Sequence, residues 1–496
     1  MIIIGRTKEI RELNELYNSK EAEFVAVYGR RRVGKTFLID EALEGKITFR
    51  HAGLSPVEIE NLQDEKKSKS VMKLQLKHFY MSLLRHGMKK SHQPASWLEA
   101  FYMLEDLLEK MDASKRQVVF LDELPWMDTP RSGFVTAFEG FWNTWACHRH
   151  NLMLVVCGSA TSWIQDNFIN NHGGLYGRTT REIHLSPFTL KECEEFYRSR
   201  GVKWSRYDIA QSYMVMGGIP YYMKYVEKGM SIDQAVNALF FDERARLKDE
   251  YDRLFASIFS KPEEMKAIIE AMSKRHSGWT RQEILEMTGL SDNGAFSKML
   301  KALVASDFAV SYVPFGMGNS DEHFKLTDPF CWFWLHFVKG KKRLAADFWK
   351  GDASQSVVTW RGIAFEELCW CHWRQIKRAL GIEGVVTELS AWAKRGDEDP
   401  STGSGTELST GTQIDMLIKR NDHVMNMCEM KFYNEEFSVD KAYHKVLVHR
   451  ENLLEKALPK RMVVHPTLIT TEGLKYNEYS GDFQKVVVLD ELFEEV

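Results

Sequence analysis

Apolar residues group along this chain in two rhythms. Short unbroken runs at Phe24 to Tyr28, Val118 to Leu121 and Leu152 to Cys157 predict buried strands, and Glu182 to Leu185 adds a fourth strand-like stretch. Thr36 to Leu43 reads as a helix that follows the first run almost at once. Apolar positions three and four apart in Val71 to Leu84 and Trp97 to Leu108 predict helices within 58–112, packed against the sheet. From Pro262 the units shorten: helices over Met265 to Ser273, Arg281 to Thr288 and Phe296 to Ala305, then a strand pair around Phe308 to Val313 and His323 to Leu326. Thr280 and Glu283 have the spacing of a capping box at the second of these helices. Three helices and a hairpin in this order predict a winged helix. A second α/β pattern begins near Trp360, with a helix over Gly362 to Leu380 and a strand over Val385 to Trp392. A polar loop, Lys394 to Thr412, reads as a mobile surface segment, and strands follow at Gln413 to Lys419 and Val424 to Phe432.

Composition sets the scale. At 496 residues the chain exceeds the size at which one hydrophobic core keeps growing, so about three domains are expected. Apolar residues at 44% and charged residues at 27% fit filled cores rather than disorder. A formal net charge of −3 excludes a general polycation, so any nucleic-acid contact must come from local patches. The run Lys339 to Arg343 is the strongest such patch, though charge runs are commonly only solvated faces. Helix 293–301, where DNA-binding winged helices place their reading element, carries only Lys298 and Lys301. Seven scattered cysteines without a CxxC pair read as reduced core residues. Met1 to Ile4 is too short for a signal-peptide core and no run suits a membrane span, so a cytoplasmic protein without membrane contact is expected.

The chemistry starts at Gly29-Arg30-Arg31-Arg32-Val33-Gly34-Lys35-Thr36, which fits the P-loop pattern G-x-x-x-x-G-K-[ST] and leads into Phe37. Two glycines let backbone N–H groups wrap a phosphate chain, Lys35 can reach the terminal phosphates, and the Thr36 hydroxyl can hold Mg²⁺. Strand, loop and helix occur in the order this motif needs, so ATP or a similar nucleotide is the expected ligand. The run Val118 to Leu121 ends in Asp122 and Glu123, the Walker B pattern. Asp122 is then a second Mg²⁺ holder and Glu123 the group that polarises the attacking water. Arg178 and Arg181 precede the fourth strand, and either could be an arginine finger, with Arg178 the candidate. Most surface arginines have no such role.

Gly5-Arg6, the GRRRVGKT loop, LDELPW around Asp122, CGSATSW around Ser159, LSPF at 185–188 and GGIPYY at 217–222 together resemble the AAA+/STAND-type ATPases often described as archaeal-type. The resemblance covers roughly the first 240 residues. It implies a polar sensor at Ser159, a Gly5-Arg6 segment beside the adenine base, and Pro220 of Gly218-Ile219-Pro220 approaching the nucleotide from a helical lid. Without it, Ser159 would read as a helix N-cap and Gly-x-Pro as a plain turn.

Pairing the last two strands about Asp422 puts Asp415 opposite Glu429, and strand alternation sends Glu429 and Lys431 to one face. With Glu366 on the preceding helix, this set resembles the PD-(D/E)XK restriction-endonuclease-like nucleases over about the last 135 residues. The resemblance implies that Asp415 and Glu429 hold Mg²⁺, Lys431 orients or activates water, Glu366 completes the acidic site and Lys445 is an auxiliary base. E-x-K alone has almost no specificity.

The expected fold class is thus α/β throughout: a P-loop ATPase core at 1–190, a helical lid at 191–260, a winged helix at 261–345 and a nuclease-like domain at 346–496. The expected function is an ATP- and Mg²⁺-dependent switch that controls cleavage of DNA. Two rivals share the ATPase half: a signalling ATPase that uses the C-terminal domain as a scaffold for a protein partner, and a self-associating remodeler in which Arg178 acts in trans.

Overall fold

The computed structural model describes residues 3–55, 58–59, 71–169, 174–259, 261–340, 348–350, 354–394 and 412–496. Most of the polar loop expected at 394–412 lies outside the described residues, as do Lys341, Lys342 and Arg343 of the basic run. The chain packs as two compact units. The first comprises Met1–Pro187, Asp252–Pro262 and Lys301–Asp307, and the second comprises Phe188–Tyr251, Glu263–Leu300 and Phe308–Val496.

In the first unit, β1 (Glu23–Tyr28), β2 (Ile47–Ala52), β3 (Gln117–Asp122), β4 (Leu152–Gly158) and β5 (Arg181–His184) form one sheet in the order β2-β3-β4-β1-β5. Every pair is parallel. A parallel sheet is covered on both faces, which is why β1, β3 and β4 each contain an unbroken apolar run and every residue in them is buried. Helices Val71–Arg85 and Trp97–Glu109 cover one face through aromatic packing. Phe79 lies 5.7 Å from Phe49 of β2 and 5.6 Å from Trp97, and Trp97 meets Phe134 edge-on at 4.9 Å. These separations suit edge-to-face and tilted pairs, which add to simple area burial.

Register aligns the working ends of the strands. Tyr28 pairs with Gly158 and Leu121 with Val156, so β1, β3 and β4 finish at one edge of the sheet and deliver the 29–36 loop, Asp122 and Ser159 together. Gly29 makes the first turn of that loop at φ 139°, and a Cβ built there would stand 2.3 Å from the Leu185 carbonyl oxygen. Backbone cannot retreat as a side-chain tip can. Gly29→Ala is therefore expected to cost at least about 2 kcal/mol, read as a lowered thermal midpoint of the intact chain.

In the second unit, β6 (Trp279–Thr280), β7 (Ala309–Tyr312) and β8 (His323–Leu326) form an antiparallel sheet ordered β6-β8-β7. Around these strands the chain runs through helices Pro262–Met272, Arg281–Thr288 and Gly294–Ala305. Thr280 and Glu283 form the expected capping box, each side chain bonded to the other's backbone N–H.

The C-terminal sheet contains β9 (Thr387–Lys394), β10 (Thr412–Arg420), β11 (Val424–Lys431), β12 (Val463–Thr470) and β13 (Lys485–Val488), in the order β13-β12-β11-β10-β9. β9, β10 and β11 are antiparallel neighbours, whereas β11, β12 and β13 run parallel. Helix Lys441–Ala457 connects β11 to β12 and buries Leu447 and Leu454. The single helix expected over 362–380 is two, Gln355–Cys371 and Trp373–Ala379, separated at His372. The His372 Nε2 accepts from the Leu190 N–H at 3.1 Å, and Nδ1 pairs with the Leu368 carbonyl at 2.9 Å. Burial holds this imidazole neutral, its pKa lowered to about 4. The cysteines are free, and five of the seven are buried as expected, but Cys371 is exposed and Cys147 only half-buried. Among the described residues no helix is long and apolar enough to cross a membrane.

Candidate functional site

In the first unit, the turn from β1 into helix Lys35–Ala42 places Gly34 at φ 95°, a left-handed conformation that glycine adopts without strain. Lys35 is buried, and its ammonium donates at 2.8 Å to both the Gly29 and Arg30 carbonyls. Those two bonds aim a long, flexible side chain before any ligand arrives. The Thr36 hydroxyl donates to Asp122 Oδ2 at 2.9 Å, so the loop and the end of β3 meet directly.

β4 lies between β1 and β3, and its terminal Ser159 links the other two ends. Lys35 Nζ lies 3.5 Å from the Ser159 hydroxyl, which in turn donates to Glu123 Oε1 at 2.5 Å, while the Ser159 N–H donates to Glu123 Oε2 at 3.1 Å. Glu123 adopts φ 46°, ψ 46°, a left-handed conformation uncommon outside glycine and one that recurs at functional sites. Burial and the neighbouring Glu123 charge push the Asp122 carboxyl above its ordinary range, and the Thr36 hydroxyl counters them. The donor set of hydroxyl and carboxylate oxygens suits a hard dication such as Mg²⁺.

The remaining loop residues do different jobs. Val33 is buried, Phe37 lies at the exposed margin, and Arg31 reaches the Ser257 carbonyl at 3.1 Å. Arg30 is buried, and Arg32 is left-handed at φ 74°. Gly5 and Arg6 are likewise left-handed, at 62° and 57°, and the Arg6 guanidinium donates to the Ser186 carbonyl at 2.6 Å. Arg178 is exposed in the loop before β5. Pro220 starts the helix Pro220–Met223, after Gly218, whose carbonyl accepts from the Phe188 N–H at 2.8 Å within the second unit.

The second unit holds a separate acidic cluster. Met416 lies opposite Cys428 and Ile418 opposite Asn426, the register obtained by centring the hairpin on Asp422. Helix Gln355–Cys371 is fixed against β10 by the Trp370 indole, which donates to the Asp415 backbone carbonyl at 3.0 Å. Glu366 stands one turn earlier on the same helix face. Glu366, Asp415 and His276 each offer one ligand atom, all within 4.8 Å of one another. His276 Nε2 is 3.5 Å from Asp415 Oδ1 and 4.0 Å from Glu366 Oε2. Gln413 Nε2 adds a bond of 2.5 Å to the same Asp415 oxygen. Burial and then the Asp415 charge push the Glu366 carboxyl up to about 8.

Glu429 and Lys431 share a face as expected, 3.9 Å apart. Glu429 is also engaged by helix Lys441–Ala457: the Tyr443 hydroxyl donates to Oε2 at 2.7 Å, and the Arg450 guanidinium pairs with Oε1. Lys445 on that helix is exposed. Sequence reading missed His276, Arg450 and Tyr443. The seven-residue spacing of Tyr443 and Arg450 was a readable sign that they share a helix face, whereas nothing local to His276 marks it.

Comparison with known proteins bears on the first part of the chain. Residues 3–226 match a family described as an ATPase domain predominantly from Archaea. An uncharacterised protein of Methanocaldococcus jannaschii is 23% identical over 343 residues, covering 68% of this chain and 69% of that protein. An uncharacterised ATP-binding protein of the same organism is 41% identical over 46 residues, 9% of this chain and 78% of that one. The Walker-type ATPase of Pyrococcus abyssi aligns structurally with a TM-score of 0.45 and 20% identity, over 67% of this chain and 96% of that one. The match to an ATPase domain is thus confined to residues 3–226 and agrees with the P-loop found there.

Proposed function

We propose that this ATPase is a switch whose nucleotide state controls metal-dependent cleavage of DNA at the Asp415 cluster. The observation that carries the reading is the meeting of Glu366, from helix Gln355–Cys371, with Asp415 of β10, in a domain whose next strand carries the paired Glu429 and Lys431. In the ATPase half, Thr36 and Asp122 would hold Mg²⁺, which when bound offsets the charge of the phosphates. Lys35 binds the terminal phosphates, Glu123 orients the attacking water, and Ser159 positions Glu123 relative to Lys35. Arg178, exposed before β5, is the candidate to neutralise charge on the departing phosphoryl group, from this copy or a neighbouring one. The Gly5-Arg6 turn would border the base, and Pro220 would belong to a helical lid.

In the C-terminal half, Asp415 and Glu429 would hold the dication, Glu366 would complete the acidic set, and Lys431 would orient water. A metal there polarises a phosphodiester and supplies a nucleophile. The helices and hairpin over 262–326 have the element order of a winged helix, and Lys298 and Lys301 are exposed on its third helix for phosphate contact.

One observation favours a second reading. Glu429 is already paired with Arg450 and accepts from the Tyr443 hydroxyl, as expected of a retained scaffold domain in a signalling ATPase that does not cut nucleic acid. A plasmid-nicking assay with Mg²⁺ or Mn²⁺, with and without ATP, separates the two. The switch reading expects nicking that responds to ATP, and at least an about tenfold loss of that response in Lys35→Ala, whose ATP binding is impaired. Nicking that is identical in Lys35→Ala with and without ATP defeats the coupling. No nicking under any condition supports the scaffold.

A further inference from the structure

The resemblance to nucleases accounts for Glu366, Asp415, Glu429 and Lys431 but not for His276, which enters the acidic cluster from a distant part of the chain. His276 lies in the turn between helix Pro262–Met272 and β6, and 139 residues separate it from Asp415. That turn is firmly built. Gly278 takes φ 81°, and a Cβ there would approach the Phe324 carbonyl to 3.0 Å. Arg275 Nε donates to the Gly278 carbonyl at 2.8 Å, its guanidinium stacks over Trp279 at 3.6 Å, and it pairs with Glu283 at 2.8 Å. The Tyr312 hydroxyl donates to the Ser277 carbonyl. A turn held at four points presents the imidazole in a fixed direction, as a metal ligand requires.

The same segment reaches the same helix a second time. Lys325 of β8 forms an ion pair of 3.0 Å with Glu367, both side chains 2% exposed, and its ammonium lies 4.8 Å from the Trp370 ring centroid. Tyr312 packs 5.5 Å from that ring. The approach of His276 to Glu366 is therefore one of several contacts along a packed seam, not the swing of a lone side chain.

We infer that His276 is a protein ligand, with Glu366 and Asp415, of a transition-metal dication of the Mn²⁺ or Zn²⁺ class. Metal–ligand bonds of about 2.0–2.2 Å leave adjacent ligand atoms roughly 3–3.5 Å apart. The separations from His276 are 3.5 and 4.0 Å and all three ligand atoms lie within 4.8 Å of one another, so closure onto an ion needs a contraction of less than about 2 Å. Ligand chemistry sets the preference. Carboxylate and water oxygens serve Mg²⁺, whereas an imidazole nitrogen adds affinity for first-row transition metals and little for Mg²⁺. Gln413 Nε2, bonded to Asp415 Oδ1 and 3.2 Å from His276 Nε2, touches both ligand atoms and would turn aside from the imidazole as the ion enters. The ligand set also ties the 273–278 turn to the C-terminal sheet, so metal occupancy and the seating of that turn become linked.

This inference deepens the proposed metal site and rests on it, but its test reads binding rather than cleavage. Full-length protein without nucleotide is titrated with Mn²⁺ by electron paramagnetic resonance, and Mg²⁺ is measured by competition. Wild type should bind Mn²⁺ at least about tenfold more tightly than Mg²⁺, and His276→Ala should weaken Mn²⁺ binding by about 10–100-fold while changing Mg²⁺ by less than about threefold. Asp415→Asn should weaken both. His276→Gln, which retains a polar side chain, serves as the second variant, with the thermal midpoint reporting folding. Mn²⁺ affinity unchanged in a folded His276 variant, or no preference for Mn²⁺ in wild type, overturns the inference. An absence of DNA cleavage alongside His276-dependent Mn²⁺ binding would defeat only the nuclease reading. Cleavage with His276-independent binding would defeat only this one.

Discussion

Glu123→Gln should bind ATP with wild-type affinity and hydrolyse it about 10²–10⁴-fold more slowly, the range by which a positioned general base contributes. The amide keeps the shape of the carboxylate and its hydrogen bond from the Ser159 N–H, but cannot draw a proton from water. Its left-handed backbone, φ 46°, and its two bonds to Ser159 indicate a side chain held for a task. Isothermal titration with ATP gives the affinity, and phosphate release gives the rate. Ser159→Ala should lower the rate by a smaller factor, because Glu123 loses its strongest tether but keeps its charge. A Glu123→Gln protein that turns over at the wild-type rate would remove Glu123 from the hydrolytic role and leave the P-loop as a binding device only.

The second large effect belongs to Asp415. If the C-terminal cluster cleaves DNA, Asp415→Asn should reduce metal-dependent nicking by at least about 10³-fold, since a metal's stabilisation of developing charge is worth several kcal/mol and each 1.36 kcal/mol is about tenfold. Lys431→Met should retain metal and lose about 10²-fold in rate, the lower end expected for one group that orients or activates water. Nicking measured on supercoiled plasmid, with both variants purified in parallel, distinguishes the two roles. Equal residual activity in both variants and wild type would assign the cleavage to a contaminant.

The ATPase half was legible because its chemistry is local. Gly29 to Thr36 is one contiguous turn, and Asp122 and Ser159 each terminate an unbroken apolar run, so strand order in the sheet was not needed to name them. The β10–β11 register was also readable: centring on Asp422 pairs Met416 with Cys428, and His423 supplies a left-handed residue at φ 66° beside the turn. Four strands escaped, among them β6, which is only two residues long. β2, with sequence ITFRHA, mixes polar residues into an edge position. β12 carries Pro466 inside a central strand, where sheet rules argue against a strand. β13 is only four residues long. His276 escaped for a different reason. Its meeting with Asp415 is a tertiary event with no periodic or motif signature, and no spacing rule crosses 139 residues.

The paired charges of Lys325 and Glu367 govern how the molecule can be dissected. Each is sealed from water by the same packing, so separating them strands an ion in an apolar interior at a cost of about 3–5 kcal/mol. Any fragment cut between β8 and helix Gln355–Cys371 inherits that orphaned carboxylate near the C-terminal end of its first helix. The strands β9 to β13 therefore depend for their stability on a lysine that precedes them by more than a helix. Attempts to excise the C-terminal sheet alone would yield a weakened fold, whatever its native activity.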